Sequence, residues 1–228
     1  MDDATWRRYE RKFVVTRRPS ERVEQVLRLH PAAFSEMYAP RFVDNCYFDS
    51  PRLGHYREAV EGWGRRVKIR VRWYGALFGE ITAPVLELKC KRGWVSWKRQ
   101  FALPARTLDE TTELGWLAEW LGDAEVPTEI ASGLGSLRPT LVNRYRRRYL
   151  ASADRRYRVT VDTALEYLSV GPPRMPIPAP QGDVPTAIVE VKYAPEDDDG
   201  ISFITNHLPF RMTKSSKYVE GLRRLGHR

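Results

Sequence analysis

The segment from Arg65 to Phe101 constrains the fold more than any other part of the chain, because its residues alternate between apolar and charged. From Arg66 to Trp73 the odd positions are Val, Ile, Val and Trp, whereas the even positions are Arg, Lys, Arg and Arg. An alternation with period two is typical of a β-strand whose two faces meet different environments. The pattern recurs in 86–91 and 95–101. The segment therefore predicts three consecutive strands that carry cationic side chains on a shared surface.

Two interpretations of this surface are open. A half-polar antiparallel strand usually turns its charged face to water, and each of the three strands taken alone is compatible with that. Like charges that face one another on neighbouring strands destabilise a sheet, however, and here the sign is biased towards positive. If the bias recurs on distant strands, a cationic surface that binds an anion is the better interpretation.

Strand-like segments do recur along the whole chain. They lie at 8–15, 45–51, 141–150, 156–162 and 187–193. Most have one apolar and one charged face, and a water-filled barrel with helices outside uses both faces. We therefore predict an α+β fold in a single domain, 1–228: a closed eight-stranded antiparallel β-barrel (tunnel), with helices packed outside and a C-terminal helix.

Helical segments accompany these strands, one of them directly after the acidic segment 196–200. An amphipathic helix is expected to begin with Ser20 as its N-cap and to stop before Pro31. The apolar spacing in 107–121 predicts a second helix, and a further helical piece lies around 127–131. The segment Lys214–Tyr218 is expected to open the C-terminal helix, where backbone N–H groups, hydroxyls and lysine make a phosphate cradle. The proline-rich segment 171–180 is expected to be a surface loop.

The charge balance favours a polyanionic partner. The formal net charge is +9, from 38 Lys and Arg against 29 Asp and Glu. Nucleic acid, polyphosphate, a nucleotide and an acidic membrane surface all fit that balance. Cys46 and Cys90 are far apart and lack metal-ligand spacing, as do the four histidines, which argues against zinc. We also expect no transmembrane segment and a cytoplasmic location, because no long apolar window or signal peptide is visible.

Acidic residues sit at fixed positions among the cations. Glu-x-Lys pairs occur on three of the expected strands, at Glu10, Glu87 and Glu190. These carboxylates either pair with the neighbouring cations or hold a divalent metal that bridges phosphates. Asp49 ends a strand and is either an acceptor in a turn or a site residue. The acidic segment 196–200 is expected to be a solvated turn.

Taken in order, the motifs resemble the VTC-type polyphosphate polymerase domain, a branch of the triphosphate tunnel metalloenzyme (CYTH-like) superfamily. The matching pieces span nearly the whole chain: Arg8-Tyr-Glu-Arg-Lys12, Tyr47-Phe-Asp49, Lys68-Ile-Arg-Val-Arg-Trp-Tyr-Gly75, Leu86-Glu-Leu-Lys89 with Lys98, Tyr145-Arg-Arg147, Arg158-Val-Thr-Val-Asp162, Glu190-Val-Lys192 and Ser216-Lys-Tyr218. Each piece alone is weakly specific, whereas the ordered set is specific.

The resemblance implies an enzyme that transfers the γ-phosphate of ATP onto a growing inorganic polyphosphate chain with Mn²⁺ or Mg²⁺. Its partners would be ATP and inorganic polyphosphate, and nucleic acid is not expected. By position, the catalytic residues that grip phosphates would be Lys12, Arg70, Arg72, Lys89, Lys98, Arg147, Arg158 and Lys217. The substrate-binding residues would be Glu10, Lys68, Glu87, Lys192, Ser216 and Tyr218, and Glu190 would bind the metal. Each of these catalytic residues that belongs to a strand lies on the charged face of that strand. Arg147 is the exception, because its neighbours allow either face.

Two alternatives remain at this point. The hydrolase branch of the superfamily carries Glu-x-Glu-x-Lys on its first strand, whereas this chain has Arg8 at the first position. The change removes one metal ligand and favours the polymerase. A hydrolase of triphosphate or of an organic phosphate would use the same tunnel, and a non-catalytic module that binds polyanions is the third hypothesis.

Overall fold

The computed structural model describes residues 8–16, 19–93, 95–109, 117–122, 125–170 and 186–227. The expected proline-rich loop, 171–180, lies outside these ranges, as do residues 110–116 of the second expected helix. None of the helices within the ranges has the length and apolar character needed to cross a membrane.

Most of the described secondary structure is β-sheet. The strands are β1 (Tyr9–Thr16), β2 (Ser35–Asp49), β3 (Arg65–Tyr74), β4 (Gly79–Ile81), β5 (Val85–Arg92), β6 (Val95–Ala102), β7 (Arg106–Leu108), β8 (Arg138–Ala151), β9 (Arg158–Leu168) and β10 (Thr186–Tyr193). Eight of them form one antiparallel sheet in the order β1-β10-β9-β8-β2-β3-β5-β6, and β4 pairs with β7. The predicted α+β class and the large antiparallel sheet are therefore confirmed, whereas β1 and β6 are edge strands here and the closed barrel stays a prediction.

Short helices connect the strands. They are α1 (Pro19–Arg28), α2 (Gly54–Glu61), α3 (Leu117–Gly122), α4 (Thr128–Leu134), α5 (Ile201–Asn206) and α6 (Lys217–Arg224), with a 3₁₀ helix at Pro195–Gly200. Helix α6 begins after Ser216, whose side chain accepts a hydrogen bond from the backbone N–H of Val219. The expected C-terminal helix and its start are thus confirmed.

The chain forms two compact units, each with its own hydrophobic core. The first unit takes its described residues from Met1–Arg41, Tyr145–Leu165 and Pro180–Ser215, and the second from Phe42–Arg144, Glu166–Ala179 and Ser216–Arg228. Phe13, Val161 and Val189 lie in the core of the first unit. Ile69, Val71 and Trp73 lie in that of the second. These side chains occupy alternate positions of their strands, which is why period two in the sequence indicated the buried faces.

Two of the helix predictions need correction. Ser20 is not an N-cap, because α1 begins one residue earlier, at Pro19. The second predicted helix was drawn too long, because Thr107 and Leu108 belong to β7. That strand pairs with β4, and the pairing buries Leu108 and Ile81 together. Tertiary pairing outweighs local helical propensity in this segment.

Candidate phosphate-binding site

In the second unit, strand register places the charged residues of β2, β3, β5 and β6 side by side in rows. Two successive rows are Tyr47–Arg70–Glu87–Gln100 and Lys68–Lys89–Lys98. The second row sets three lysines opposite one another in register on adjacent strands. Facing like charges cost stability, and an anion lying along such a row reduces that cost.

Glu87 orients the arginines of the neighbouring row. Its carboxylate accepts hydrogen bonds from Arg70 Nε at 2.9 Å, Arg70 Nη2 at 2.6 Å and Gln100 Nε2 at 2.7 Å. Arg72 Nη1 lies 3.6 Å away and Lys98 Nζ 3.5 Å away. Although burial opposes ionisation, the charges of Arg70, Arg72 and Lys98 hold the pKa of Glu87 well below its usual range. Glu87 therefore stays ionised and fixes Arg70, instead of meeting an anionic ligand itself.

Further hydrogen bonds hold both guanidinium groups. Arg70 Nη1 donates to the hydroxyl of Tyr47 at 3.2 Å. Arg72 Nε donates to Asn45 Oδ1 at 2.9 Å, and Asn45 Nδ2 donates in turn to Asn143 Oδ1 at 2.9 Å. Arg70 and Arg72 are thus set in place before any ligand arrives, which lowers the entropy cost of binding one.

The start of α6 adjoins the lysine row. Lys68 Nζ donates to Ser216 Oγ at 2.7 Å, and Lys217 is the first residue of α6. Helix N-termini favour anions because their backbone N–H groups carry partial positive charge. Tyr218, by contrast, is 1% exposed and its hydroxyl donates to Asp49, so this predicted substrate contact is packed inside the second unit.

In the first unit, strand register produces rows that mix cations and carboxylates. The rows are Lys12–Glu190–Thr160 and Glu10–Lys192–Arg158. Glu190 accepts from Lys12 Nζ at 2.8 Å and lies 2.7 Å from Lys192 Nζ. Lys12 Nζ also lies 3.3 Å from Glu10. Although burial acts against it, the carboxylates of Glu190 and Glu10 raise the pKa of Lys12.

Arg147 lies on the charged face, in a buried pair. Its Nε and Nη2 donate to Asp162 at 2.6 and 2.7 Å, and Nη2 lies 3.8 Å from Glu190. The structure thus decides between the two faces that the sequence left open for Arg147. Burial acts to lower the pKa of Arg147, but Asp162 outweighs it and the pKa is raised.

Arg158 occupies the outer end of this arrangement. It faces Lys192 in register, and its charge, after burial, contributes to a lowered pKa of Arg8. Arg8, which stands where the hydrolase branch has Glu, is therefore a cation whose pKa is influenced by a second cation, Arg158.

The two clusters differ in charge balance. In the first-unit cluster the cations Lys12, Arg147, Arg158 and Lys192 accompany the carboxylates Glu10, Asp162 and Glu190. In the second-unit cluster the cations Lys68, Arg70, Arg72, Lys89, Lys98 and Lys217 accompany Glu87. Among these named groups, cations outnumber carboxylates by one in the first cluster and by five in the second.

The predicted metal ligand has competing partners. Among the described residues, no group of three or more His, Cys, Asp or Glu is arranged to hold a metal ion. Glu190 and Glu10 both contact Lys12. Mg²⁺ typically takes one or two carboxylates and completes its shell with water and substrate phosphates. The donor set therefore fits a metal that arrives with phosphates, and it does not fit an ion held by protein groups alone.

Several contacts in these clusters were not anticipated as site residues. Asp162, Asn45 and Tyr47 each hold a cation of the expected set, and Gln100 donates to the carboxylate of Glu87. Period two already placed Asp162 with Arg158, and Gln100 with Lys98, on a charged face. This spacing could have identified both residues as candidates for the site, but it does not show which residues they contact.

Comparison with known proteins identifies the family. No curated protein sequence matches this chain. A candidate adenylate cyclase from Bacillus halodurans has a similar fold, with a TM-score of 0.54 and 12% identity over 93% of this chain and 95% of that one. A candidate adenylyl cyclase from Hippeastrum, described as having a dominant triphosphatase activity, gives 0.53 and 14% over 95% of each chain. A protein from Pyrococcus horikoshii OT3 gives 0.52 and 10% over 95% and 99%.

These likenesses concern the fold of the chain. The family follows from the sequence, because the model of the VTC domain family matches residues 7–225. The match covers nearly the whole chain and includes every residue of both clusters. This chain belongs to the VTC domain family.

Proposed function

We propose that the protein transfers the γ-phosphate of ATP to the end of an inorganic polyphosphate chain, giving ADP and a chain one phosphate longer. The observation that carries the proposal is the row Lys68–Lys89–Lys98, three lysines in register on adjacent strands and bordered by the start of α6. A linear polyanion with regularly spaced charges is the ligand that such a row fits. The single domain 1–228 and the closed tunnel expected from the sequence are part of the same proposal.

The chemistry needs no nucleophile from the protein. A terminal oxygen of the polyphosphate attacks the γ-phosphorus of ATP in line, and the bond from that phosphorus to the bridging oxygen of ADP breaks. The leaving electron pair stays on the β-phosphate oxygen of ADP. Catalysis then consists of positioning and of neutralising the charge on the phosphoryl oxygens.

Arg70 and Arg72 are suited to that neutralisation. Both guanidinium groups are held by neighbouring side chains, Arg70 by Glu87 and Tyr47 and Arg72 by Asn45. A planar guanidinium offers several N–H donors to phosphate oxygens. Lys68, Lys89, Lys98 and Lys217 would hold the chain as point charges.

A divalent ion, Mn²⁺ or Mg²⁺, would supply further neutralisation of the phosphate charge when bound. Glu190, with Glu10 nearby, would contact it together with phosphate oxygens. Lys12 and Lys192, which lie against Glu190, would keep the carboxylate in place and limit the excess negative charge when the ion is absent.

A triphosphatase is the second candidate function. It is favoured by the Hippeastrum protein of similar fold, which is described as having a dominant triphosphatase activity. In that reaction water would replace the polyphosphate end as nucleophile. Arg8 argues against it, because a cation stands where the hydrolase branch has a metal-binding glutamate.

Incubation of the purified protein with ATP, a short polyphosphate primer and Mn²⁺ or Mg²⁺ tests the proposal. We expect long polymer on a gel together with ADP. Release of phosphate without polymer would instead support the triphosphatase, and binding of polyphosphate with neither product would support a non-catalytic module.

The double variant Arg70→Ala/Arg72→Ala tests the assignment of the site. We expect polymer formation to fall by about 100-fold or more, because preorganised charge contacts to the reacting phosphate are lost. Arg146→Ala is the control, since Arg146 is an exposed cation of β8 outside both clusters. Activity retained by the double variant would refute the role of the second-unit cluster.

A further inference from the structure

Asp49 is a buried carboxylate at the end of β2, and it caps α2 from outside the helix. Asp49 is fully buried. Its Oδ1 accepts from the backbone N–H groups of Ser50 at 2.7 Å and His55 at 3.0 Å, and its Oδ2 accepts from that of Tyr56 at 2.9 Å. The N-cap position of α2, Leu53, makes no side-chain cap of its own. Asp49 therefore satisfies N–H groups that the first turn of α2 would otherwise leave unpaired.

The same carboxylate reaches α6. Tyr218 is the second residue of α6, and its hydroxyl donates to Asp49 Oδ2 at 2.6 Å. The Tyr218 ring stacks on that of Tyr47, with centroids 4.9 Å apart and an interplanar angle of 21°. Tyr47 in turn accepts a hydrogen bond from Arg70. One anchored carboxylate thus connects the start of α2, the start of α6 and the ring beneath Arg70, all within the second unit.

The residues next to Tyr218 belong to the cationic cluster. Ser216 accepts from Lys68 Nζ at 2.7 Å, and Lys217 lies between Ser216 and Tyr218. Because α6 has only eight residues, a contact at its first turn has a large influence on where Ser216 and Lys217 lie.

We propose that Asp49 is a positioning residue: through Tyr218 it fixes the start of α6, so that Ser216 and Lys217 stay beside Lys68 where phosphate binds. The inference rests on the proposed function only in taking a phosphate chain as the ligand of this cluster. Asp49 itself touches no substrate.

The geometry of the contact suits this role. Burial and the neighbouring Asp49 carboxylate raise the pKa of Tyr218, so the phenol remains a donor at any pH at which the protein works. A hydrogen bond from a neutral donor to a carboxylate is stronger and more directional than one between neutral groups. The backbone N–H groups at the other side of Asp49 prevent the carboxylate from following Tyr218 if α6 shifts.

The test is a pair of Tyr→Phe variants in the intact chain, with inorganic tripolyphosphate titrated by calorimetry. Tyr218→Phe removes only the hydroxyl, which donates to Asp49 at 2.6 Å and accepts from Thr140 Oγ1 at 3.4 Å. Tyr56→Phe is the matched control, because Tyr56 is also buried, its ring contacts that of Tyr218, and its hydroxyl donates to the backbone oxygen of His227 instead. We expect Tyr218→Phe to weaken tripolyphosphate binding about tenfold and Tyr56→Phe to change it less than about twofold.

A second comparison separates positioning from general stability. In a Ser216→Ala/Lys217→Ala background, the effect of Tyr218→Phe on tripolyphosphate binding should shrink to less than about twofold, because the residues that it positions are gone. An equal loss in both backgrounds, an equal loss in Tyr56→Phe, or a lowered melting temperature with unchanged binding would each overturn the inference. So would failure of the wild-type protein to bind tripolyphosphate.

The outcome is separable from that of the proposed function. If Tyr218→Phe weakens binding as expected but no polymer forms from ATP, the positioning role stands and the polymerase proposal fails. If polymer forms and Tyr218→Phe binds tripolyphosphate normally, the polymerase proposal stands and the positioning role of Asp49 fails.

Discussion

Asp44 is a fully buried carboxyl group whose two oxygens accept no hydrogen bond within the described part of the chain. Arg144 Nε lies 3.7 Å from Asp44 Oδ1, but the guanidinium is also engaged elsewhere. It stacks over the ring of Phe42 at 4.1 Å and donates to the backbone oxygen of Gly75 at 3.0 Å. Burial raises the pKa of Asp44 to about 7, opposed by Arg144 and assisted by the nearby Glu166.

This carboxyl group gives the stability of the protein a specific pH dependence. The pKa of Asp44 is higher in the native state than in the unfolded chain. At pH values between these two pKa values the native state therefore binds more protons, and the free energy of unfolding falls as the pH rises towards 7. Asp44→Asn removes that dependence. Between pH 5 and pH 8, we expect the wild type to lose about 2 to 3 kcal/mol relative to Asp44→Asn, measured by urea unfolding. Parallel curves of stability against pH for the two proteins would contradict this.

At the scale of single residues, sequence reasoning identified the charged positions but not their partners. The Glu-x-Lys spacing placed Glu10 with Lys12 and Glu190 with Lys192 on shared faces, and both pairs are in contact. The pairing of Arg147 with Asp162 was missed, because alternation specifies a face and not which residue of another strand lies opposite. Such pairing depends on register, which a single strand does not encode.

At the scale of the elements, helix α6 packs closely against its neighbours at Gly221. A Cβ atom added to Gly221 would overlap the side chains of Leu141 and Tyr167. We expect Gly221→Ala to lower the free energy of unfolding by about 1 to 3 kcal/mol, because α6 would have to move away from these side chains. Urea unfolding measures the change.

Gly133→Ala in α4 is the matched control for that prediction. A Cβ at Gly133 would meet no atom of the described chain within 4 Å. Since alanine is the better helix former, this variant should be neutral or more stable by about 0.5 to 1 kcal/mol. Equal destabilisation by both substitutions would mean that the contacts of α6 do not explain the effect. Loss of tripolyphosphate binding in Gly221→Ala alone would agree with a role for α6 at the cationic cluster.

The long strands were predictable from the sequence, and the short ones were not. Strand β3 carries eight residues of strict alternation and β5 carries six, and β6 follows the same pattern except at Arg99. Strands β4 and β7 have three residues each, too few to show a period. Their pairing joins Gly79 to Leu108 across an intervening hairpin, and the residues after Arg106 also fit a helical pattern. Only the pairing with β4 decides whether this segment is a strand or a helix.

For the molecule as a whole, composition indicated a polyanionic ligand but not where the positive charge is concentrated. The formal net charge is +9. In the structure, carboxylates pair with most cations of the first-unit cluster, whereas in the second Arg70, Arg72 and Lys98 share the carboxylate of Glu87. We therefore expect the affinity for a polyanion to depend more on the charge of the second-unit cluster than on the net charge of the chain.

The dependence of binding on salt distinguishes these two sources of attraction. Association of a polyanion with a cationic surface releases counterions, so the logarithm of the binding constant falls linearly with the logarithm of the salt concentration. Lys89→Ala and Arg146→Ala each lower the formal net charge by one, but only Lys89 lies in the second-unit cluster. We expect the slope for polyphosphate to decrease in magnitude by about one in Lys89→Ala, as for the loss of one phosphate contact, and to stay unchanged in Arg146→Ala. Titrations at several NaCl concentrations measure the slopes. Equal slopes for the two variants would show that net charge governs binding and that the lysine row does not hold the chain.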